Sequence, residues 1–139
     1  MRKLFSLLGF VVLAAASMAQ VGVYARGMNS TNLQGCELRA AKHGAAVRGE
    51  FHAAVTIDGH ELRVRAIVVE MEVGPGDHAQ ATFVARGMIG DRPVLVRGQV
   101  QDNGDPENDT IQFALVGPNG PFYHTRTERQ SVVIRRIRL

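Results

Sequence analysis

The residues best suited to chemistry stand together in one short stretch, "VQDNGDPENDTIQFAL", Val100 to Leu115. Asp102, Asp105, Glu107 and Asp109 lie there between two apolar runs, with Asn103 and Asn108 interleaved. Calcium takes about six to eight oxygen ligands, often from carboxylates carried on short turns. These four residues are therefore the candidate ligands of a calcium-stabilised module. Their spacing departs from the EF-hand loop, which needs D-x-[DN]-x-[DN]-G and a later Glu. The same residues also suit a plain strand connection. Asp102 and Asn103 can bond the backbone ahead of them, Gly104 accepts a positive φ, Pro106 fixes the chain direction, and Asp109 can accept a loop N–H. We prefer the turn and keep calcium as the alternative.

Other catalytic constellations are poorly supplied. The histidines are His43, His52, His60, His78 and His124, and none forms the H-x-x-x-H or H-x-H spacing of a local zinc site. Past residue 19 the serines are Ser30 and Ser131, neither within G-x-S-x-G. Glu70 and Glu72 share a strand face, as glycosidase acids can, but paired carboxylates on a solvated face are far commoner. No glycine-rich loop leads into a helix, which leaves nucleotide binding without support. We therefore expect no enzymatic activity and no cofactor other than calcium. A cryptic hydrolase would need a histidine converging on a carboxylate or on Ser131. The C-terminal stretch is basic: Arg126, Arg129, Arg135, Arg136 and Arg138 are candidate polyanion-binding residues. Only Phe122 and Tyr123 interleave as aromatics and the chain has no tryptophan, which weakens stacking on bases or sugars. Arginines that guard an exposed strand edge are the plainer explanation.

The chemistry has to be placed in a compartment. "MRKLFSLLGFVVLAAASMAQ" opens with Arg2 and Lys3, continues as an apolar run from Leu4 to Ala16, and reaches Ser17-Met18-Ala19. That is the layout of a secretory signal peptide cleaved after Ala19, with a second candidate cut after Ala25. The run is short of the roughly 20 residues that span a bilayer. Of 16 basic and 13 acidic residues, Arg2 and Lys3 leave with the leader, so 14 face 13 afterwards. The net of +1 gives no expectation of nucleic-acid binding, which needs a concentrated basic face. Cys36 is the one cysteine, so no intrachain disulfide can form. It is either a buried small apolar residue or a thiol able to pair between chains. "LQGC" at 33–36 resembles a lipoprotein cleavage box, but polar Asn29 to Asn32 separate it from the apolar run.

The elements that must position these groups are strands. From Val47, the residues Val47, Gly49, Phe51, Ala53, Val55 and Ile57 alternate with Arg48, Glu50, His52, Ala54 and Thr56. That period of two predicts a half-buried strand. Asp58-Gly59 reads as a hairpin turn. Leu62, Val64, Ala66 and Val68 continue the pattern, and its phase slips before Met71 and Val73, which predicts a bulge near Glu70. Turns at 74–77, 90–93 and 117–121 separate further alternating runs. The outcome is all-β: an antiparallel β-sandwich or flattened barrel of about seven short strands over residues 47–139. Residues 20–46 carry weaker signals, with some helical propensity in "LRAAKHGAA", and read as a leader or loose N-terminal segment that could add an edge strand.

The order Val94-Leu95-Val96-Arg97-Gly98-Gln99-Val100-Gln101-Asp102-Asn103-Gly104-Asp105-Pro106, then Asp109-Thr110-Ile111-Gln112-Phe113, then Ser131-Val132-Val133-Ile134, resembles a bacterial secreted β-domain, the post-COAP-1 family. The likeness spans roughly residues 47–135 and is tightest over 94–115. It departs at 124–130, "HTRTERQ", where that family carries glycines. The resemblance implies secretion and a β fold, and no catalysis. The expected function is an exported, non-enzymatic β-module for binding or structure outside the cell or at the cell envelope.

Overall fold

A computed structural model describes residues 19–74 and 79–138 of the chain. Residues 1–18, 75–78 and 139, and the side chains of Ala19, Ile137 and Arg138, lie outside the described residues. Nine antiparallel strands make one curled half-barrel sheet: β1 (Ala19–Met28), β2 (Leu33–His43), β3 (Ala46–Ile57), β4 (His60–Val73), β5 (Ala79–Ile89), β6 (Arg92–Asp102), β7 (Thr110–Gly117), β8 (Gly120–Arg126) and β9 (Arg129–Arg138). The described residues contain no helix. The all-β antiparallel expectation holds. The architecture differs from a two-layer sandwich, because every strand belongs to one sheet, in the order β8-β7-β6-β5-β4-β3-β2-β1-β9.

Seven of the strands, β3 to β9, come from the region after Val47. The other two come from the stretch expected to be loose. Residues 19–43 form β1 and β2, and β1 lies between β2 and β9 rather than at an edge. Their alternation is carried by small residues: Val23 and Ala25 in β1, and Cys36, Leu38 and Ala40 in β2, point inward and are buried. Alanine has high helix propensity and low β propensity, but burial against neighbouring strands overrides both.

Hairpin turns set the register. Ile57 pairs with His60, and the two residues between them, Asp58 and Gly59, have φ of 52° and 79°. Two positive φ values in a two-residue loop match the right-handed twist of the flanking strands. Across β4 and β5 the register shifts between Val68 and Glu70, at the bulge that the phase slip predicted. Inside the curl, Phe51 stacks edge-on to Phe113 at 4.9 Å between centroids and tilts against Phe83 at 5.4 Å. Val55, Val64, Val96, Val100, Ile111 and Leu115 complete the fully buried centre.

The last strand closes one end of the curl. Only Thr127 and Glu128 link β8, at one edge of the sheet, to β9 at the other. Three Cα steps reach at most about 11 Å, so the two edges must meet there. The Thr127 N–H donates to the Ile111 carbonyl on β7, and the Glu128 N–H donates to the Met28 carbonyl on β1. β9 then passes the ends of the other strands. Gln130 donates to the Pro106 carbonyl at 2.6 Å, the Ile134 N–H to Asp102 at 3.2 Å, and Arg136 to the Gly74 carbonyl at 2.9 Å. On the inner side, the Tyr123 hydroxyl donates to the Asn32 carbonyl at 2.6 Å and Thr125 to the Asn32 side chain, which ties β8 to the β1–β2 turn.

Candidate functional site

The acidic connection between β6 and β7 is held by its own carboxylates. Asp102 Oδ1 accepts the Gly104 N–H at 3.0 Å, while its Oδ2 accepts the Ile134 N–H from β9. Asp105 Oδ1 accepts the Glu107 N–H at 3.0 Å, and its carbonyl accepts the N–H groups of Asn108 and Asp109. Asp109 is buried, and its Oδ1 accepts the Asn103 N–H at 2.7 Å. Gly104 has a φ of 83°. Glu107 is exposed. Among the described residues no three His, Cys, Asp or Glu side chains gather as a metal site. Here the chemistry of the loop is that of a latch: three aspartates turn the chain, and one of them also caps an N–H on the edge of β9.

The remaining candidates are scattered. Ser30 donates its hydroxyl to Glu128 at 3.0 Å. Ser131 lies opposite Arg26. Cys36 is buried on the inner face, where burial pushes its thiol up to about 12. His52 stands on the outward face, 2.9 Å from Glu50. Glu70 and Glu72 are exposed opposite Val84 and Thr82. The C-terminal arginines do not share one patch. Arg126 is on β8, Arg129 begins β9, and Arg135 and Arg136 occupy successive positions of β9 and so project to opposite sides.

What the fold does assemble is a charged outward face. All 14 Lys and Arg residues beyond the leader lie in strands, against only six of the acidic ones: Glu37, Glu50, Glu61, Glu70, Glu72 and Asp102. Turns and loops hold the other described acids, the 103–109 connection among them. Residues 20–139, with a net of +1, thus carry their positive charge on strands and half of their described acids in turns and loops. Four Arg-Gly pairs contribute: Arg26-Gly27, Arg48-Gly49, Arg86-Gly87 and Arg97-Gly98. In each, the glycine faces into the curl, where a Cβ would strike Thr127, the Arg39 carbonyl, the Arg65 carbonyl or the Phe83 ring. The arginine beside it therefore projects outward and is exposed. Sequence reasoning missed this face because it weighed the C-terminal arginines alone. The repeated Arg-Gly pair at strand period was the available signal.

Register places the charges in rows. Arg26, Glu37, His52, Arg65 and Met88 stand opposite one another on β1 to β5. The next row out runs Tyr24, Arg39, Glu50, Ile67, Arg86 and Leu95 across β1 to β6. Two carboxylates in these rows are already engaged. The Tyr24 hydroxyl donates to Glu37 at 2.9 Å and, with Arg39 beside it, holds that carboxyl below its usual range. Glu50 takes His52. The ion pairs among the described residues are Arg39–Glu37, Lys42–Glu72, His52–Glu50 and Arg63–Glu61, so Arg26, Arg48, Arg65, Arg86 and Arg97 stand without a carboxylate partner there. Arg26, Arg63 and Arg65 line a depression of about 550 Å³ together with Glu37, His52, Gly35 and Ala54.

The chain matches no protein-family model, no curated protein and no solved structure. Function must be argued from the face itself.

Proposed function

We propose that this chain is an exported, non-enzymatic β-module that binds an anionic partner through the outward face of its sheet. The single observation that carries this is a surplus of arginine on that face: Arg26, Arg48, Arg65, Arg86 and Arg97 have no carboxylate partner among the described residues, while four of the five strand glutamates, Glu37, Glu50, Glu61 and Glu72, are held in ion pairs. A local surplus of one sign raises affinity and on-rate for a partner of opposite sign even when net charge is small. Of the two candidate cuts, the one after Ala25 would discard residues paired on both sides with β2 and β9, so the cut after Ala19 is the one proposed. The non-enzymatic character is supported by the seclusion of Cys36 and the scatter of the serines and histidines. Export to the envelope or beyond, together with the post-COAP-1 resemblance of residues 94–115, completes the proposal.

The test is retention of residues 20–139, which carry the strands intact apart from Ala19, on a sulfonate column at neutral pH. A chain whose charge is gathered on one face is held to higher salt than a control of equal net charge. Replacing Arg65 and Arg86 together with Gln should shorten retention. Elution with the control, unaltered by that replacement, would count against a binding face.

A further inference from the structure

We infer that the anionic partner of this face is a phospholipid surface. The inference rests on the binding face proposed above and adds a second property of the same residues. The exposed large apolar side chains include Ile67, Val69, Met88 and Val133, at 63%, 43%, 43% and 37% exposure, and all four project outward from the curl. They are interleaved with the cations rather than set apart from them. Arg65 pairs with Met88, and Ile67 pairs with Arg86, so β4 and β5 carry a two-by-two checkerboard of cation and aliphatic. Directly opposed side chains on adjacent strands sit about 5 Å apart. Val133 lies opposite Tyr24 on the neighbouring strands, beside Arg39, whose guanidinium stands 5.5 Å over the Tyr24 ring.

A dissolved polyanion makes use of the arginines and gains nothing from exposed isoleucine and methionine. A bilayer interface uses both: phosphates attract the guanidinium groups, and the boundary of the acyl region receives the short apolar side chains between them. Arginine suits this position, because its aliphatic stem can lie along apolar surface while the head reaches a phosphate. The depression lined by Arg26, Arg63 and Arg65 supplies a seat for one headgroup phosphate, with the Glu37 carboxylate in the same lining engaged by Tyr24 and Arg39. Its opening depends on Gly35, where an added Cβ would meet nothing within 4 Å and the φ lies outside the range reserved for glycine. A larger side chain at Gly35 therefore fills the seat without straining the strand.

The experiment is cosedimentation of residues 20–139 with vesicles of phosphatidylglycerol mixed into phosphatidylcholine, and with vesicles of phosphatidylcholine alone. Binding to the mixed vesicles only is expected, weakened by salt. Losing one arginine, in Arg65→Gln or Arg86→Gln, should reduce affinity about fivefold. Gly35→Glu, which places a carboxylate in the seat, should reduce it at least as much. The pair Ile67→Ser and Met88→Ser should reduce it about threefold or more, with thermal midpoints unchanged because both side chains are exposed. Absence of vesicle binding by a chain that the sulfonate column still retains would overturn the lipid inference and leave the anion-binding face standing. Loss of both would overturn the face as well. Vesicle binding insensitive to the Ile67 and Met88 replacement would point to a purely charged ligand and overturn the inference. So would a dimer that this replacement dissolves, since a second copy would then cover the face.

Discussion

Asp102 does two jobs with one carboxylate, turning the chain at Gly104 and capping the Ile134 N–H on β9. Removing it leaves both N–H groups without their acceptor, at a cost of about 1–3 kcal/mol. We expect Asp102→Ala to lower the thermal midpoint by several degrees, and by the same amount in calcium and in chelator, because the loss is of internal hydrogen bonds. A midpoint restored by calcium would mean that the loop holds an ion. Cys36 makes a second prediction. The unfolded chain releases its thiol proton from about pH 9.0, while the folded chain keeps it to about 12. A folded pKa raised above the unfolded one gives stability that is full below pH 9.0 and is lost as pH rises through that window, by up to about 4 kcal/mol at its top. Tyr123 is pushed the same way by its own burial. Denaturant midpoints between about pH 8 and about pH 11 should fall, and Cys36→Ala should flatten the fall. An equally steep decline in that variant would remove Cys36 as its cause.

Among the elements, inward glycines decide how tightly the strands coil. At Gly87 a Cβ would come 2.0 Å from the Arg65 carbonyl, whereas at Gly35 it would meet open space. Gly87→Ala should therefore cost about 3 kcal/mol, and Gly35→Ala no more than about 0.5 kcal/mol. Urea midpoints of the two variants check this, and similar losses would mean that coiling does not depend on Gly87. The same contrast explains how far the sequence could be read. The strands after Val47 were legible because Phe51, Val55, Val64, Val96 and Phe113 alternate with charged or polar residues at period two, and the bulge showed itself as a slip in phase. β1 and β2 were not, because glycine and alanine make up seven of their 21 residues and such residues carry little β signal. The single curled sheet was not legible either. Whether two edges meet is settled by contacts such as Gln130 with Pro106 and Tyr123 with Asn32, between residues 24 and 91 positions apart. For export, the pairing of β1 on both sides leads us to expect a secreted form that begins at Gln20, checked by N-terminal sequencing. A form beginning at Arg26 would have lost most of that strand.

Over the whole molecule, closure and charge are two results of one pattern. Inward positions are mostly apolar or glycine, Thr125 being an exception, and let the sheet curl, and an arginine precedes each of four inward glycines. Every lysine and arginine past residue 19 is on a strand, whereas half of the described acids sit in turns and loops, so near-neutrality in the total conceals a surplus of positive charge on the strands. The candidate site was legible only in part for this reason. The acidic loop announced itself as a cluster and folds as a latch, while the arginines lie far apart in sequence and come together through register alone. The most direct measurement is a backbone-amide NMR titration of residues 20–139 with a short inorganic polyphosphate, a minimal soluble anion. The shifts are expected to gather on the outward rows, at Arg26, His52, Arg63, Arg65 and Arg86, with the 102–109 connection unmoved. Shifts confined to that connection, or to the Gly117–Gly120 turn between β7 and β8, would contradict the proposed face.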